Sequence, residues 1–276
     1  MAESQSANQL SLCLITYNEE ENLDDCLSSF APIADEIVVV DSGSTDRTQE
    51  ISAKYNARFS ISPFEGFGRQ KQRAIDIASG RWIFVVDADE RATPSLLAEI
   101  RSIIEKEGSA EGYAINRVNF FMGRAILHSG WSPDFVVRLF KNGEGRTSEN
   151  LVHEEILVSG KVERLSSPLL HYTYRSIDAY LQKSARYASL SAMEKKKKGH
   201  RPGILKILLR PPFVFFKMYV VKQGFRDGRE GLFLAILYAF YTAIKYIWMY
   251  YPDDSGDPLS ANTLPQELEG RTAPTK

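Results

Sequence analysis

Three stretches within the first hundred residues, LCLIT (12–16), EIVVV (36–40) and RWIFVV (81–86), are apolar at nearly every position. A strand with one wet face alternates apolar and polar residues, so runs like these belong to strands covered on both faces, as in a parallel sheet. ARFSI (57–61) adds a fourth strand. Between them Leu23, Cys26, Leu27 and Phe30 recur at i, i+3, i+4 and i+7. Segments 46–55 and 68–79 also read as helices, and Pro94 opens PSLLAEIRSIIEKEG as a first-turn proline. Strands and helices in alternation predict a βαβ sheet, hence an α/β fold.

Beyond residue 110 the pattern changes. GYAINRVNFF, FVVRLF, EILVSG and LLHYTY are short β-like pieces parted by Gly, Pro and charged turns, and 111–175 is expected to extend the sheet with antiparallel strands. Residues 176–200 read as a helix ending in KKKKG, and Ile204 to Tyr251 is rich in Leu, Ile, Phe and Tyr. The expected division is a flexible N-terminus (1–9), two sheet-forming halves (10–110 and 111–175), C-terminal helices (176–251) and a polar, disordered tail (252–276). With 43% hydrophobic and 25% charged residues the chain can fill an ordinary globular core. Cys13 and Cys26 have neither disulfide-framework nor metal-ligand spacing, which suits a reducing compartment. MAESQSANQL lacks the basic and apolar regions of a secretory signal, so the expected location is inside the cell.

In an open parallel sheet, ligands bind beyond the carboxyl ends of the strands. Here three strands run into polar groups, TYNEEEN, DSGSTD and DADE. Neither G-x-G-x-x-G nor G-x-x-x-x-G-K-[ST] follows the first strand, which removes the simplest dinucleotide and P-loop readings. Asp87 and Asp89 are two apart, and on an extended backbone both carboxylates face one side. Two such donors suit Mg2+ or Mn2+, which takes one or two carboxylates with phosphate oxygens and water; alternatively the acids cap the helix opened by Pro94. Asp41 can accept a hydrogen bond from a ring N–H such as that of uracil, while Ser44 or Thr45 is placed to cap the following helix with Asp46 in its first turn. GFGRQKQRA (66–74) sets Arg69, Lys71 and Arg73 behind a glycine-flanked turn, as a diphosphate contact or as a solvated helix start.

Together, ITYNEEENL, EIVVVDSGSTDRT and GFGRQKQRAIDIASGRWIFVVDADE resemble the nucleotide-sugar half of family 2 inverting glycosyltransferases with the GT-A fold. WSPDFVVRLF, LVHEEI, LLHYTYRS and GFRDGREG are similar to the bacterial branch that includes lipopolysaccharide-core β-glucosyltransferases, so the resemblance spans residues 10–250. It implies a Rossmann-like nucleotide-diphospho-sugar transferase, an α/β fold with a mixed sheet flanked by helices. Residues 10–110 would hold a UDP-sugar and 111–175 the acceptor and catalytic base. Residue by residue, it implies nucleotide contacts from Thr16, Tyr17, Asn18 and Glu19, uracil recognition by Asp41, and a basic approach to the nucleotide by Lys71 and Arg73. Asp87 would face the ribose and Asp89 would bind Mg2+ or Mn2+, with Glu90 bordering the site. The base implied in LVHEEI is Glu154, with Glu155 second because on a strand it faces the other way; the bland alternative for both is a solvated surface acid. His153 and His171 are candidates to orient the base or touch phosphate, or are structural, and Trp131 either stacks on a sugar or belongs to the core. The Q-x-x-R-W motif of processive synthases is absent, QKSARY (182–187) being a loose echo, which points to single additions.

The formal charge is −1, yet Lys195 to Arg229 holds eleven Lys and Arg against one acid, Asp227, leaving the rest of the chain at −11. Such a segment attracts anionic membranes or nucleic acid, and no nucleic-acid reading motif accompanies it. In GILKILLRPPFVFFKMYVVKQ (203–223) Lys206, Arg210, Lys217 and Lys222 interleave with large apolar residues. Pro211-Pro212 is expected to split the stretch into two short helices, suited to lying in a membrane surface. GLFLAILYAFYTAIKYIWMYY (231–251) is about 30 Å long as a helix, near spanning length, but Lys245 and its tyrosines favour a monotopic or domain-covering helix. The combined expectation is hexose transfer from a UDP-sugar to a lipid-linked or lipopolysaccharide-core saccharide at the inner face of the cytoplasmic membrane. Two rivals stand beside it: transfer to polyprenyl phosphate, and a catalytically silent membrane-peripheral protein that binds nucleotide sugar.

Overall fold

The computed structural model of the chain describes residues 9–148, 155–174, 176–200 and 202–250. The expectations placed on the two tails therefore fall, but for residue 9, outside the described residues. Strands β1 (Leu10–Thr16), β2 (Glu36–Asp41), β3 (Arg58–Ile61) and β4 (Trp82–Val85) alternate with helices α1 (Leu23–Phe30), α2 (Thr48–Lys54) and α3 (Phe67–Ile77). The strands pair in parallel in the order β3-β2-β1-β4. A short strand, β5 (Glu90–Ala92), and helix α4 (Pro94–Glu105) follow.

Alternate side chains of these strands serve two cores. Leu10, Leu12 and Leu14 of β1, Val39 of β2 and Trp82 and Phe84 of β4 pack with the Leu23, Cys26, Leu27, Phe30 stripe of α1 and with Leu96 and Ile100 of α4. The intervening Cys13, Val38, Val40, Ile83 and Val85 face the other way, against Ala74 and Ile75 of α3. Both faces are dry, which is why the strands lack alternation; each large apolar side chain so buried contributes about 1.5–3 kcal/mol. Cys13 and Cys26 are free and buried, and burial pushes both thiols up.

The second half adds β6 (Gly112–Phe121), β7 (Arg124–Ala125), β8 (Phe135–Lys141), β9 (Gly145–Thr147), β10 (Ile156–Val158), β11 (Val162–Arg164) and β12 (Leu169–Tyr174), all but β9 and β10 in the same sheet. From β4 the order runs β8-β6-β12-β5, with β7 and β11 also on β6, while β9 and β10 form a separate antiparallel pair. β8 is antiparallel to β4 and to β6, but β11 and β12 run parallel to β6. The antiparallel extension expected from the short pieces is thus corrected to a mixed one. Parallel neighbours need a long connection, and the chain from β7 to β11 supplies it.

The C-terminal part comprises α5 (Ile177–Lys197), α6 (Ile204–Phe216), a π-helical turn (Lys217–Val221), a 3-10 turn (Gly224–Asp227) and α7 (Gly228–Tyr250). α6 runs unbroken through Pro211 and Pro212, correcting the expected split. A helical φ lies within proline's range, so the pair forfeits the hydrogen bonds to Ile207 and Leu208 without forcing a stop. The chain turns later, at Gln223, whose φ of 55° is left-handed. α7 packs on α5 and α6, and its Leu234 and Ala235 meet Phe121, Ile126 and Tyr180.

Candidate active site

Polar loops meet at the carboxyl ends of β1, β2 and β4. Thr16 Oγ1 donates to Asp41 Oδ2 at 2.7 Å, the Asn18 N–H to Ser44 Oγ at 2.7 Å, the Thr45 N–H to Asn18 Oδ1 at 2.9 Å and the Glu19 N–H to Thr48 Oγ1 at 2.9 Å. Asp41 is buried; its Oδ1 accepts from the N–H groups of Gly43 and Ser44, and its Oδ2 also from the Ser44 hydroxyl at 2.6 Å. Ser44 and Thr45 therefore join the first two loops instead of capping α2. Asp46 lies just before the helix, and its Oδ1 accepts from the Thr48 N–H at 3.0 Å. Tyr17 stays exposed on this rim.

Helix α3 ties the second loop to the end of β4. Gln70 Nε2 donates to Ser42 Oγ at 3.0 Å, and Lys71 Nζ pairs with Asp87 Oδ1 at 2.7 Å. Arg73, two residues on and so on another face of the helix, donates to Pro63 O, Gln70 Oε1 and Glu65 Oε2. Lys71 is brought to the strand ends; Arg73 braces the 62–65 loop.

The backbone does not stay extended through DADE. The Glu90 N–H bonds to Asp87 O at 2.9 Å, closing a turn, so the expected common face for Asp87 and Asp89 is corrected. Asp87 meets Lys71 and, at 2.5 Å, Arg138, whereas Asp89 Oδ2 lies 3.4 Å from His171 Nε2. The acids do not cap α4 either, since Thr93 Oγ1 accepts from the Leu96 N–H at 3.2 Å. Glu90, expected at the border, is fully buried. Its carboxylate accepts from the Asp87 N–H at 3.0 Å and from Arg138 at 2.6 Å, with Arg117 at 3.4 Å. Arg138 and Arg117 went unnoticed in the sequence, although an arginine amid the apolar residues of FVVRLF is a signal: a buried guanidinium demands carboxylate partners. Burial by itself would raise the Asp87 carboxyl, but Arg138, Lys71 and Arg117 outweigh it and hold it well below the usual carboxylate range.

His171 is oriented by Asn119. Asn119 Nδ2 donates to Trp131 O and to Asp134 Oδ2, so its Oδ1, 2.6 Å from His171 Nδ1, is the acceptor and the ring proton is assigned to Nδ1. In the neutral ring a lone pair is left on Nε2, facing Asp89, as in histidines whose second nitrogen binds a metal. Among the described residues no three or more His, Cys, Asp or Glu side chains converge as a metal site. One carboxylate with one imidazole nonetheless fits a Mg2+ or Mn2+ ion that completes its shell with phosphate oxygens and water. Beside His171 opens a cavity of about 300 Å³. Glu154 and His153 lie outside the described residues; Glu155 is exposed, its N–H donating to Ser148 Oγ at 2.9 Å.

The family model described as glycosyl transferase family 2 matches residues 11–155. The lipopolysaccharide core biosynthesis glycosyltransferase LpsC of Rhizobium meliloti (strain 1021) is 33% identical over 251 residues, covering 86% of this chain and 91% of that protein. The chain belongs to glycosyl transferase family 2. An uncharacterized glycosyltransferase of Rickettsia bellii (strain RML369-C) is 26% identical over 243 residues, 84% of this chain and 83% of its own. Among solved structures, Staphylococcus aureus TarS 1–349 in complex with UDP aligns over 88% of this chain and 89% of that one, with 16% identity and a TM-score of 0.45. In this family 2 glycosyltransferase the rim around β4 is composite. The first half of the chain supplies Thr16, Asp41, Lys71, Asp87 and Asp89; the second supplies Arg117, Asn119, Arg138 and His171.

Proposed function

We propose that the chain transfers a hexose from a UDP-sugar to a lipid-linked or lipopolysaccharide-core saccharide, by a single inverting displacement at the inner face of the cytoplasmic membrane. The observation that carries this reading is the Asp89–His171 pair, 3.4 Å apart, which joins the turn that carries the Lys71- and Arg138-bound Asp87 to the cavity-lining His171. Thr16, Tyr17, Asn18, Glu19 and Asp41 form the nucleotide rim, Asp41 reading the uracil N–H once one of its Ser44 bonds yields. Lys71 provides the basic side, with Arg73 bracing the loop beside it, Asp87 faces the ribose, and Asp89 with His171 would hold Mg2+ or Mn2+. When bound, that ion supplies a Lewis acid for the charge developing on the departing UDP. Glu154 takes the proton of the acceptor hydroxyl as its oxygen attacks the anomeric carbon and the bond from that carbon to the diphosphate breaks; Glu155 is the second choice.

The acceptor class rests on the likeness to LpsC. The membrane side rests on α6, which has no buried residue and exposes Leu205, Leu208, Leu209, Phe213 and Phe216 as one stripe. Lys206, Arg210 and Lys217 flank it, the pattern of an interfacial helix. Gly224–Tyr250 is long and apolar enough to cross a bilayer, but Leu234, Ala235 and Tyr238 lie against Phe121 and Trp131, which favours a helix lying along the membrane. A panel of UDP-sugars with Mn2+, scored for binding and slow hydrolysis, tests the donor: one UDP-sugar hydrolysed only with the ion is expected. Binding without sugar release or transfer to any acceptor would instead mark a silent binding protein. Glu154→Gln is expected to keep donor binding and lose transfer; undiminished transfer to polyprenyl phosphate by that variant would favour an acceptor that is already anionic.

A further inference from the structure

The cavity beside His171 is walled by two parts of the chain that differ in kind. Asn119, Trp131, Asp134, His171 and Tyr174 come from the sheet and its loops, and Tyr238 comes from α7. The joint is a hydrogen bond, Trp131 Nε1 donating to Tyr238 Oη at 3.1 Å. Trp131 also meets Tyr174 and Tyr238 at ring-centroid distances of 6.4 and 6.1 Å, so aromatic surface lines one side. On the other side stands Asp134. Its Oδ2 accepts from Arg117 Nε and Nη2 at 2.9 Å and from Asn119 Nδ2 at 3.0 Å, while its Oδ1 has no partner among the described residues. A carboxylate clamped in this way is an acceptor held in a set position, a strong partner for a hydroxyl. An ion-pair chain runs back from it through Arg117, Glu90 and Arg138 to Asp87, so its placement is tied to that of the nucleotide side.

A space of about 300 Å³ is at the lower end for small-molecule sites and suits one sugar residue. Aromatic faces beside a hydroxyl-seeking carboxylate are what a pyranose ring presents partners for: C–H groups on one face, hydroxyls at the edge. Resting on the glycosyltransferase reading above, we propose that this cavity is the acceptor-sugar subsite. Asp134 binds an acceptor hydroxyl and so acts as a positioning residue, the aromatic wall takes the ring face, and α7 completes the site. The same helix exposes Phe233, Ile236 and Phe240 elsewhere on its surface, so the element that closes the subsite is also one that meets an apolar phase. The acceptor class is a glycoside whose aglycone is apolar.

The probe is octyl β-glucopyranoside below its micellar concentration, titrated against the full chain and followed by saturation transfer to the glucosyl protons, with UDP binding measured on the same preparations. Asp134→Asn and Tyr238→Ala are each expected to weaken the glycoside about tenfold, the worth of one charge-assisted hydrogen bond or one aromatic contact, with UDP affinity retained. Under turnover the loss falls on the acceptor KM more than on kcat, the reverse of what removal of a base would do. Absence of saturation transfer with the wild type, or equal affinity in the wild type and both variants, overturns the assignment while leaving the donor reading intact. Failure of the wild type to bind UDP or any UDP-sugar overturns the reading on which it rests. Tyr238→Ala keeps the test decisive if Asp134→Asn, which strands Arg117, does not fold.

Discussion

Asp87 and Glu90 share the Arg138 guanidinium; besides it Asp87 has Lys71 at 2.7 Å, and Glu90 has Arg117 at 3.4 Å. Replacing Arg138 by Met leaves both acids short of their main counter-charge, and breaking a buried ion pair from one side typically costs about 3–5 kcal/mol; urea unfolding of Arg138→Met should register a loss of that size. Because Arg138 and Lys71 lower the Asp87 carboxyl despite its burial, the native state binds fewer protons than the unfolded chain in the window between its lowered value and the ordinary one. The stabilisation is complete above the ordinary carboxylate pKa of about 3.9 and is lost as pH falls toward the lowered folded value. Urea midpoints followed downward from about pH 7 should fall along an acid limb that Asp87→Asn, though less stable at neutrality, flattens. Asp89 is used differently. It lies outside the arginine cluster, its Oδ2 facing His171, so Asp89→Ala is expected to fold normally and to lose divalent-dependent turnover. A wild-type response to Mn2+ in that variant would remove the metal assignment.

Among the elements, α7 depends on the tightness of its first turn. At Gly231 an added Cβ would overlap the carbonyl oxygen of Gly224 and crowd Asp227. Asp227 is buried and holds the loop after β7, accepting from the N–H groups of Leu127 and His128, from His128 Nδ1 and from the Ser129 hydroxyl. Gly231→Ala is therefore expected to push the helix start off the 3-10 turn, at about 1–3 kcal/mol, the usual range for overpacking. The measurement is thermal unfolding, with UDP binding as the control, because the proposed nucleotide rim lies on β1, β2 and α3. The prolines of α6 make the complementary point. They remove hydrogen bonds from the helix without ending it, since the φ they impose is already helical.

For the molecule as a whole, charge separation along the chain becomes a division of surface. Lys206, Arg210, Lys217, Lys222, Arg226 and Arg229 are exposed, beside the exposed leucines and phenylalanines of α6, so basic charge and apolar surface lie on the same segment. Each basic residue near an anionic membrane surface is worth about 1 kcal/mol. Lys206→Gln with Lys217→Gln is accordingly expected to weaken flotation with phosphatidylserine-containing vesicles by about 2 kcal/mol, leaving association with uncharged vesicles as in the wild type. Equal binding to both vesicle types by both proteins would count against a charged membrane contact.

How much of this was legible in advance follows from the range of the interactions. The continuous strands, the α1 stripe and the Pro94 helix start were readable because periodicity and capping act within a few residues, and the strand-end placement of Asp41, Asp87 and Asp89 came with them. The burial of Glu90, by contrast, depends on Arg138 arriving 48 positions later, the Asp89–His171 pair on β5 lying beside β12, and the Trp131–Tyr238 bond on a helix 107 positions away. The parallel pairing of β12 with β6 likewise reflects a choice among strand partners that short apolar pieces do not distinguish. The sequence by itself determined a doubly covered parallel sheet with acids at its carboxyl edge, since burial on both faces leaves its mark in every residue of a strand. Which acids are clamped by arginines, which one faces a histidine, and that α7 closes the neighbouring cavity were decided only by tertiary structure, because charges and aromatic rings acquire those partners when distant segments pack together.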